Sequence, residues 1–135
     1  MNKRGMSRAG VKRWKEFERA VARELRKLAP RARRCLQFQR LHGAPDVAAG
    51  ALWVECKSGQ HRPVERVYRE TARKAQAGMS SAMPAVVSKA SARGPKLVTL
   101  ALADFIRIAG ASPMQQRRMW REGWPKSLPK NGGQP

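Results

Sequence analysis

The chain has 135 residues, the length of one domain with a modest hydrophobic core. Its 29 Lys and Arg against 9 Asp and Glu give a formal net charge of +20, so the folded chain repels itself unless it meets a polyanion. Nucleic acid is therefore the expected partner, ahead of a membrane surface. The sequence has no apolar run of about 20 residues to span a bilayer, no apolar stretch typical of a secretory signal, and too few cysteines for a disulfide scaffold. We expect a cytoplasmic protein whose two cysteines are buried free thiols.

The N-terminal region combines a basic arm with an amphipathic helix. Residues 1–10 are basic and small, which predicts a flexible arm that can lie on phosphates. Residues 11–28 carry apolar side chains at helical spacing, and Ala29-Pro30 ends the helix. The apolar stripe consists of Trp14, Phe17, Val21, Leu25 and Leu28. Glu18 lies at the edge of this stripe, where its carboxylate either faces inward to a site or stays at the surface, favoured by the helix dipole.

Two carboxylates and a lysine converge in the predicted sheet. Because side chains alternate along a strand, Glu55 and Lys57 project to the same face, together with Trp53. Asp46 reaches the same place from the neighbouring strand. Carboxylate oxygens beside a compact cation suit Mg²⁺, which binds few carboxylates and keeps several waters. The three strands are predicted at residues 35–40, 46–49 and 52–57, with a hairpin connection at Gly50-Ala51.

A second helix, predicted at residues 64–77, has an apolar face and a basic face. The apolar face is formed by Val64, Val67, Tyr68, Thr71 and Ala75, and the basic face by Arg62, Arg66, Arg69 and Arg73. The basic face fits two interpretations. One is a solvated surface with ion pairs from Glu65 to Arg69 and from Glu70 to Lys74. The other is a surface that contacts phosphates, which the excess of arginine over glutamate favours.

The rest of the chain predicts two strands and two short helices. The strands are predicted at residues 84–89 and 96–100, and the helices at 102–109 and 113–122. We expect the first of these helices to bury Leu102, Phe105, Ile106 and Ala109. Residues 11–110 then form the main domain, and residues 111–135 a helical extension with a disordered tail. The order of elements predicts an α/β protein with a mixed central sheet flanked by helices.

The segment Pro45-Asp46 followed by Glu55-Cys56-Lys57 resembles the signature of the PD-(D/E)xK nuclease superfamily. The upstream helix with Glu18-Arg19 and the following basic helix are similar to the superfamily's restriction-endonuclease-like αβββαβ core. The likeness is strongest to archaeal-type Holliday junction resolvases and their phage-encoded relatives, in which a later strand resembles Pro84–Lys89. It covers roughly residues 5–110.

The resemblance implies roles for particular residues. Glu18, Asp46, Glu55 and Lys57 would be catalytic, with Lys57 orienting or deprotonating the attacking water or neutralising the transition state. The metal would be held by Asp46, Glu55, the backbone carbonyl of Cys56 and Glu18, the last either directly or through water. Mg²⁺ would be the cofactor, and Mn²⁺ could substitute for it. The predicted DNA-binding residues are Arg19, Arg34, Arg40, Arg62, Arg66, Tyr68, Arg69, Arg73 and Lys89.

Three functions follow from these observations. The first is a Mg²⁺-dependent endonuclease selective for four-way or branched DNA, acting as a homodimer because two strands must be cut symmetrically. Such an enzyme, if phage-encoded, would work in the bacterial host cytoplasm. The second is another nuclease of the same fold, of the restriction-like, repair or nicking type. The third is a non-catalytic basic DNA-binding protein, in which Asp46, Glu55 and Lys57 are incidental.

Overall fold

The computed structural model describes residues 7–36, 43–59, 63–78 and 81–123. Helix α1 (Arg8–Leu25) begins three residues earlier than predicted, because the Ser7 side chain caps it by accepting a hydrogen bond from the Gly10 N–H at 3.1 Å. It ends at Leu25, and residues 26–28 form a turn that leaves Leu28 exposed. Residues 1–6 of the predicted arm lie outside the described residues.

The centre of the fold is a five-stranded mixed sheet with helices on both sides, so the predicted α/β class is confirmed. The strands lie side by side in chain order. Strands β3 and β4 pair in parallel, and the other three pairs are antiparallel. The strands are β1 (Arg33–Arg34), β2 (Val47–Ala49), β3 (Leu52–Ser58), β4 (Met83–Lys89) and β5 (Leu97–Thr99).

The first strand differs from the prediction of residues 35–40. It pairs with β2 through Arg33 and Arg34, and the Cys35 N–H continues the ladder by donating to the Asp46 carbonyl at 2.9 Å. The alternation of apolar residues predicts that the strand begins at Cys35. In the structure, the strand begins at Arg33, because its position is set by hydrogen bonding to β2. Residues 37–42 lie outside the described residues.

Helix α2 (Val64–Ala77) forms the crossover between the parallel strands β3 and β4, with the bounds that its apolar spacing predicts. It buries Val67, Thr71 and Ala75, and Gly78 follows its last turn. Of the five residues predicted for the buried face, Val64 is exposed in the first turn. The helix covers one face of the sheet along β4.

The hydrophobic core lies on the opposite face of the sheet. Val54 and Cys56 of β3 pack there with Val21 and Ala22 of α1. Both cysteines, Cys35 and Cys56, are buried free thiols, as predicted. No helix within the described ranges has the length and apolarity needed to cross a membrane.

Two helices complete the described chain, and they differ in how they pack. Helix α4 (Pro113–Glu122) begins with a capping box between Ser112 and Gln115 and buries Met119 and Trp120 in the core. Helix α3 (Leu102–Ala109) buries none of its residues fully, so the prediction of an inward-facing apolar side is wrong. The side of α3 nearest the protein instead carries Ile108, which packs against the core, and an ion pair between Asp104 and Arg107.

The hairpin turn between β2 and β3 packs directly against α4. A methyl group on Gly50 would lie 2.7 Å from the Trp120 carbonyl oxygen and 2.8 Å from that of Met119, and Gly50 has φ +54°. Gly43 also has a positive φ, +89°, but a methyl group there would have nothing within 4 Å. An alanine at Gly43 would therefore introduce backbone strain alone, whereas an alanine at Gly50 would introduce backbone strain and a steric clash.

We predict that Gly50→Ala lowers the free energy of unfolding by roughly 2–4 kcal/mol, because the methyl group displaces α4 in addition to straining the turn. The matched control Gly43→Ala should cost about 1–2 kcal/mol from backbone strain alone. Urea unfolding of both variants measures the difference. Equal losses would show that the contact between the hairpin turn and α4 contributes little.

Candidate active site

Asp46 and Glu55 form a buried pair of carboxylates on neighbouring strands. In the antiparallel pairing of β2 with β3, Val47 is opposite Val54, so the next residue pair along the same register is Asp46 and Glu55. Directly opposite residues on one face have Cβ atoms about 5 Å apart. Both side chains are buried, and Asp46 accepts a hydrogen bond from the Cys56 N–H at 3.0 Å. The sequence prediction that these two acids meet is therefore matched by the strand register.

The acid pair is electrostatically unfavourable when both members are charged. Burial, the nearby Asp46 charge and a side-chain hydrogen bond with Asp46 together raise the pKa of Glu55 from 4.5 to about 7. Two lysines act in the opposite direction and favour the charged form of Glu55. A proton is thus held at Glu55 up to neutral pH, where a divalent cation could replace it.

The two lysines come from different elements. Lys57 projects from β3 on the same face as Glu55, as the strand alternation predicts. Lys74 comes from the last turn of α2 and places its Nζ 3.8 Å from Glu55 Oε1. The sequence prediction pairs Lys74 only with Glu70 and does not include it in the site. Its spacing of seven residues from the buried Val67 indicates that it lies on the side of α2 that faces the sheet.

Glu18 is buried as predicted for an inward-facing carboxylate, but the structure joins it to a different partner. Its Oε1 accepts a hydrogen bond from Arg34 Nε at 2.7 Å, and the Arg34 guanidinium lies 5.8 Å from the centre of the Trp14 ring. Arg34 is opposite Val47 in the sheet, so it projects to the core face, whereas Asp46 next to Val47 projects to the other face. The prediction that Glu18 joins the acids as a metal ligand is not supported by this arrangement.

Helix α2, which brings Lys74 to the site, also presents a row of arginines. Arg66, Arg69 and Arg73 are exposed and line a surface cavity together with Ala72. We call this set, Arg66, Arg69 and Arg73, the arginine row. It is carried by the same helix that brings Lys74 to Glu55.

The other predicted DNA-binding residues have varied positions. Arg19 is exposed on α1, and Lys89 is half-buried at the end of β4, opposite Ser58. Arg34 is engaged with Glu18 and Trp14. Tyr68 is half-buried against the start of α3, where burial and the Asp104 carboxylate raise its pKa. Arg40 and Arg62 lie outside the described residues.

The donor set at the acid pair fits a small hard cation. Across residues 7–36, 43–59, 63–78 and 81–123, no group of three or more His, Cys, Asp and Glu side chains forms a metal-binding cluster. Two carboxylates with water and substrate oxygens are nevertheless a common donor set for Mg²⁺. The raised pKa of Glu55 is the observation that favours a cation here, because a positive ion between the two carboxylates relieves their repulsion.

Comparison of the chain with family models, with curated proteins and with solved structures gives no significant match.

We predict that the stability of the metal-free protein falls as the pH rises from about 4.5 to about 7. Glu55 binds its proton more tightly in the folded state, so its contribution is fully present below pH 4.5 and is lost once the pH exceeds 7. A pKa change from 4.5 to about 7 corresponds to roughly 3 kcal/mol of unfolding free energy. Urea unfolding in EDTA at several pH values measures it.

The Glu55→Gln variant should lack this decrease, because the amide does not titrate. Glu16→Gln, which changes an exposed glutamate of α1, serves as the matched control and should keep the decrease. A wild-type protein whose pH dependence equals that of Glu55→Gln would contradict the assignment of the raised pKa to this residue. Adding Mg²⁺ at pH 8 should raise the urea concentration at which half of the wild-type protein is unfolded. The same midpoint of Glu55→Gln should not change.

Proposed function

We propose that the protein is a Mg²⁺-dependent endodeoxyribonuclease that cuts branched DNA, such as a four-way junction. The observation that carries the proposal is the buried pair Asp46 and Glu55, with Lys57 on the same face and Lys74 within 3.8 Å of Glu55. Two carboxylates kept together against their repulsion, with two ammonium groups beside them, fit a site that binds a cation and a phosphodiester at once.

Each residue of the site has a role that its position supports. Asp46 and Glu55 would hold the ion, with the Cys56 backbone carbonyl as a further oxygen ligand, and Mn²⁺ could replace Mg²⁺. When bound, the ion supplies positive charge that polarises the phosphate and acidifies water. Lys57 orients the attacking water or stabilises the charge that develops on phosphate oxygens. Lys74 partly offsets the effects that raise the pKa of Glu55, and it would add positive charge near the scissile group.

The order of elements is compatible with a restriction-endonuclease-like core. Helix α1, strands β1 to β3, helix α2 and strand β4 follow one another as helix, three strands, helix and strand, and a crossover helix joins parallel strands beside the acid pair. The resemblance of Pro45-Asp46 and Glu55-Cys56-Lys57 to the PD-(D/E)xK signature supports the same assignment.

The substrate is inferred from charge and from the resemblance. A net charge of +20 and the exposed arginine row favour the backbone of DNA over a small phosphate ester. A branched substrate brings several backbones together, and a basic protein of this size can contact more than one of them. Symmetric cutting of two strands requires two sites, so we propose that the active form is a homodimer.

We predict that Asp46→Asn, Glu55→Gln and Lys57→Ala each reduce cutting of a synthetic four-way junction by roughly 10²–10⁴-fold. Junction binding measured by gel shift should stay near the wild-type level, because these residues do not form the arginine row. Cutting should require Mg²⁺ and stop in EDTA. Glu65→Gln, which changes an exposed glutamate of α2, is the matched control and should cut like the wild type.

The results distinguish the three functions. A wild type that cuts no form of DNA with Mg²⁺ or Mn²⁺ but binds DNA tightly would leave a non-catalytic DNA-binding protein. Cutting of linear duplex with sequence preference would indicate another nuclease of the same chemistry. A variant at Asp46, Glu55 or Lys57 that cuts at the wild-type rate would show that the site is elsewhere.

We predict that Arg66→Ala combined with Arg69→Ala weakens DNA binding and lowers the slope of log K against log salt by about 2, one for each lost phosphate contact. Mg²⁺ binding measured by calorimetry should be unchanged, because the acid pair is intact. Arg117→Ala combined with Arg118→Ala removes two exposed charges from α4 and is the matched control. Equal effects of the two double variants would show that net charge alone governs binding and that the arginine row has no special role.

A further inference from the structure

Helix α3 faces the protein with Asp104, Arg107 and the partly buried Ile108, whereas its other large apolar side chains face solvent. Asp104 and Arg107, joined at 3.0 Å, have side chains only 15% and 9% exposed. Leu102, Phe105 and Ile106 are 72%, 55% and 60% exposed. An amphipathic helix of a globular protein ordinarily buries the apolar side. The reversal leaves three large apolar side chains of one short helix in water.

The orientation of α3 is held by contacts at both ends. At its start, the Asp104 carboxylate lies near Tyr68 of α2, and Ala101 forms a backbone hydrogen bond with Tyr68. In its last turn, the Ile108 carbonyl accepts a hydrogen bond from the Gln116 side chain of α4. These contacts tie the polar side of α3 to two neighbouring helices, so turning the apolar side inward would require breaking them.

Strand β5, which precedes α3 in the chain, also has exposed apolar side chains. Leu97 and Val98 are 59% and 55% exposed although they point to opposite faces of the sheet, which is typical of a strand at a sheet edge. In the described part of the chain, β5 pairs with β4 alone and ends the strand order. The chain runs from β5 into α3 within two residues. We call this set, Leu97, Val98, Leu102, Phe105 and Ile106, the β5–α3 face.

The charge of the β5–α3 face indicates what covers it. Residues 97–106 contain no Lys or Arg, in a chain with 29 of them, and their single acid is Asp104, which is paired with Arg107. Neither a phosphate backbone nor an acidic protein finds opposite charge there. Two copies of a chain with a net charge of +20 repel each other over most of their surface, and an uncharged apolar face is where contact costs least.

We propose that a second copy of this chain covers the β5–α3 face, with the β5 edges of the two copies antiparallel across a two-fold axis. A two-fold axis places the same face on both sides of the contact, so the apolar side chains of one copy meet those of the other. An open strand edge meeting its own symmetry copy also satisfies the unpaired backbone groups of both. The contact between copies is inferred from the exposed side chains alone. It rests on the proposed function only for its role, which is to bring the two active sites of a nuclease together.

The test is the oligomeric state without DNA. Light scattering coupled to gel filtration, in salt high enough to screen the charge, should give twice the chain mass of 15.1 kDa for the wild type at micromolar concentration. Phe105→Glu combined with Ile106→Glu should raise the dissociation constant by at least about 100-fold, because charges would be buried opposite each other. Leu28→Glu, at a side chain 54% exposed outside this face, should leave the dimer intact.

A second measurement does not depend on how the charged variant folds. Of the single variants Leu97→Cys, Val98→Cys and Thr99→Cys, at least one should form a disulfide between copies under mild oxidation, because facing strand residues lie within disulfide reach. The native thiols are buried. No cross-link at any of the three positions would overturn the antiparallel contact of the β5 edges.

The remaining outcomes are equally decisive. A monomeric wild type, or a dimer that survives Phe105→Glu with Ile106→Glu, overturns the proposal. A monomer that binds vesicles of neutral phosphatidylcholine, and loses this binding in the double variant, assigns the face to a membrane instead. A wild-type dimer that cuts no DNA leaves the contact standing and removes the proposed nuclease, whereas a monomer that cuts DNA does the reverse.

Discussion

The repulsion between Asp46 and Glu55 is the constraint on which the candidate site depends. A sheet gains nothing from two buried carboxylates opposite each other, and at neutral pH it loses stability by holding them. The register of β2 with β3 and the hydrogen bond from the Cys56 N–H nevertheless keep both in place. Lys57 and Lys74 reduce the repulsion from either side. The arrangement makes sense if a cation and an anion are both brought to this point.

The surface has regions that differ in charge and therefore in the partners they can bind. The arginine row is exposed on the same helix that brings Lys74 to Glu55, so it can attract a polyanion to this side of the protein. The β5–α3 face, which contains no basic residue, cannot do so. Tyr68 of α2 is half-buried against the start of α3. Helix α2 thus carries the arginine row and also contacts the helix whose exposed side chains are apolar.

Most of the fold and half of the site could be predicted from the sequence. The bounds of α2 and the face on which Glu55 and Lys57 lie follow from local periodicity, which depends only on neighbouring residues. The partners of Glu18, Lys74 and α3 depend on which elements pack against each other in space. The periodicity of the sequence carries no information about that packing. Amphipathic spacing identified the apolar side of α3 correctly, but whether that side meets its own chain or another is a property of tertiary packing. In the structure, contacts with Tyr68 and Gln116 hold α3 with this apolar side outward.

The closeness of Gly50 to the carbonyls of Met119 and Trp120 links the end of the described chain to the acid pair. A β-hairpin can slip by one residue when its turn is free, and such a slip moves every side chain of one strand to the other face. Helix α4 packs against this turn, so we expect it to stabilise the register of β2 with β3. We therefore expect the alignment of the two carboxylates to depend on a segment outside both strands. A chain that ends before Pro113 would keep every residue of the site but lose this support for the register.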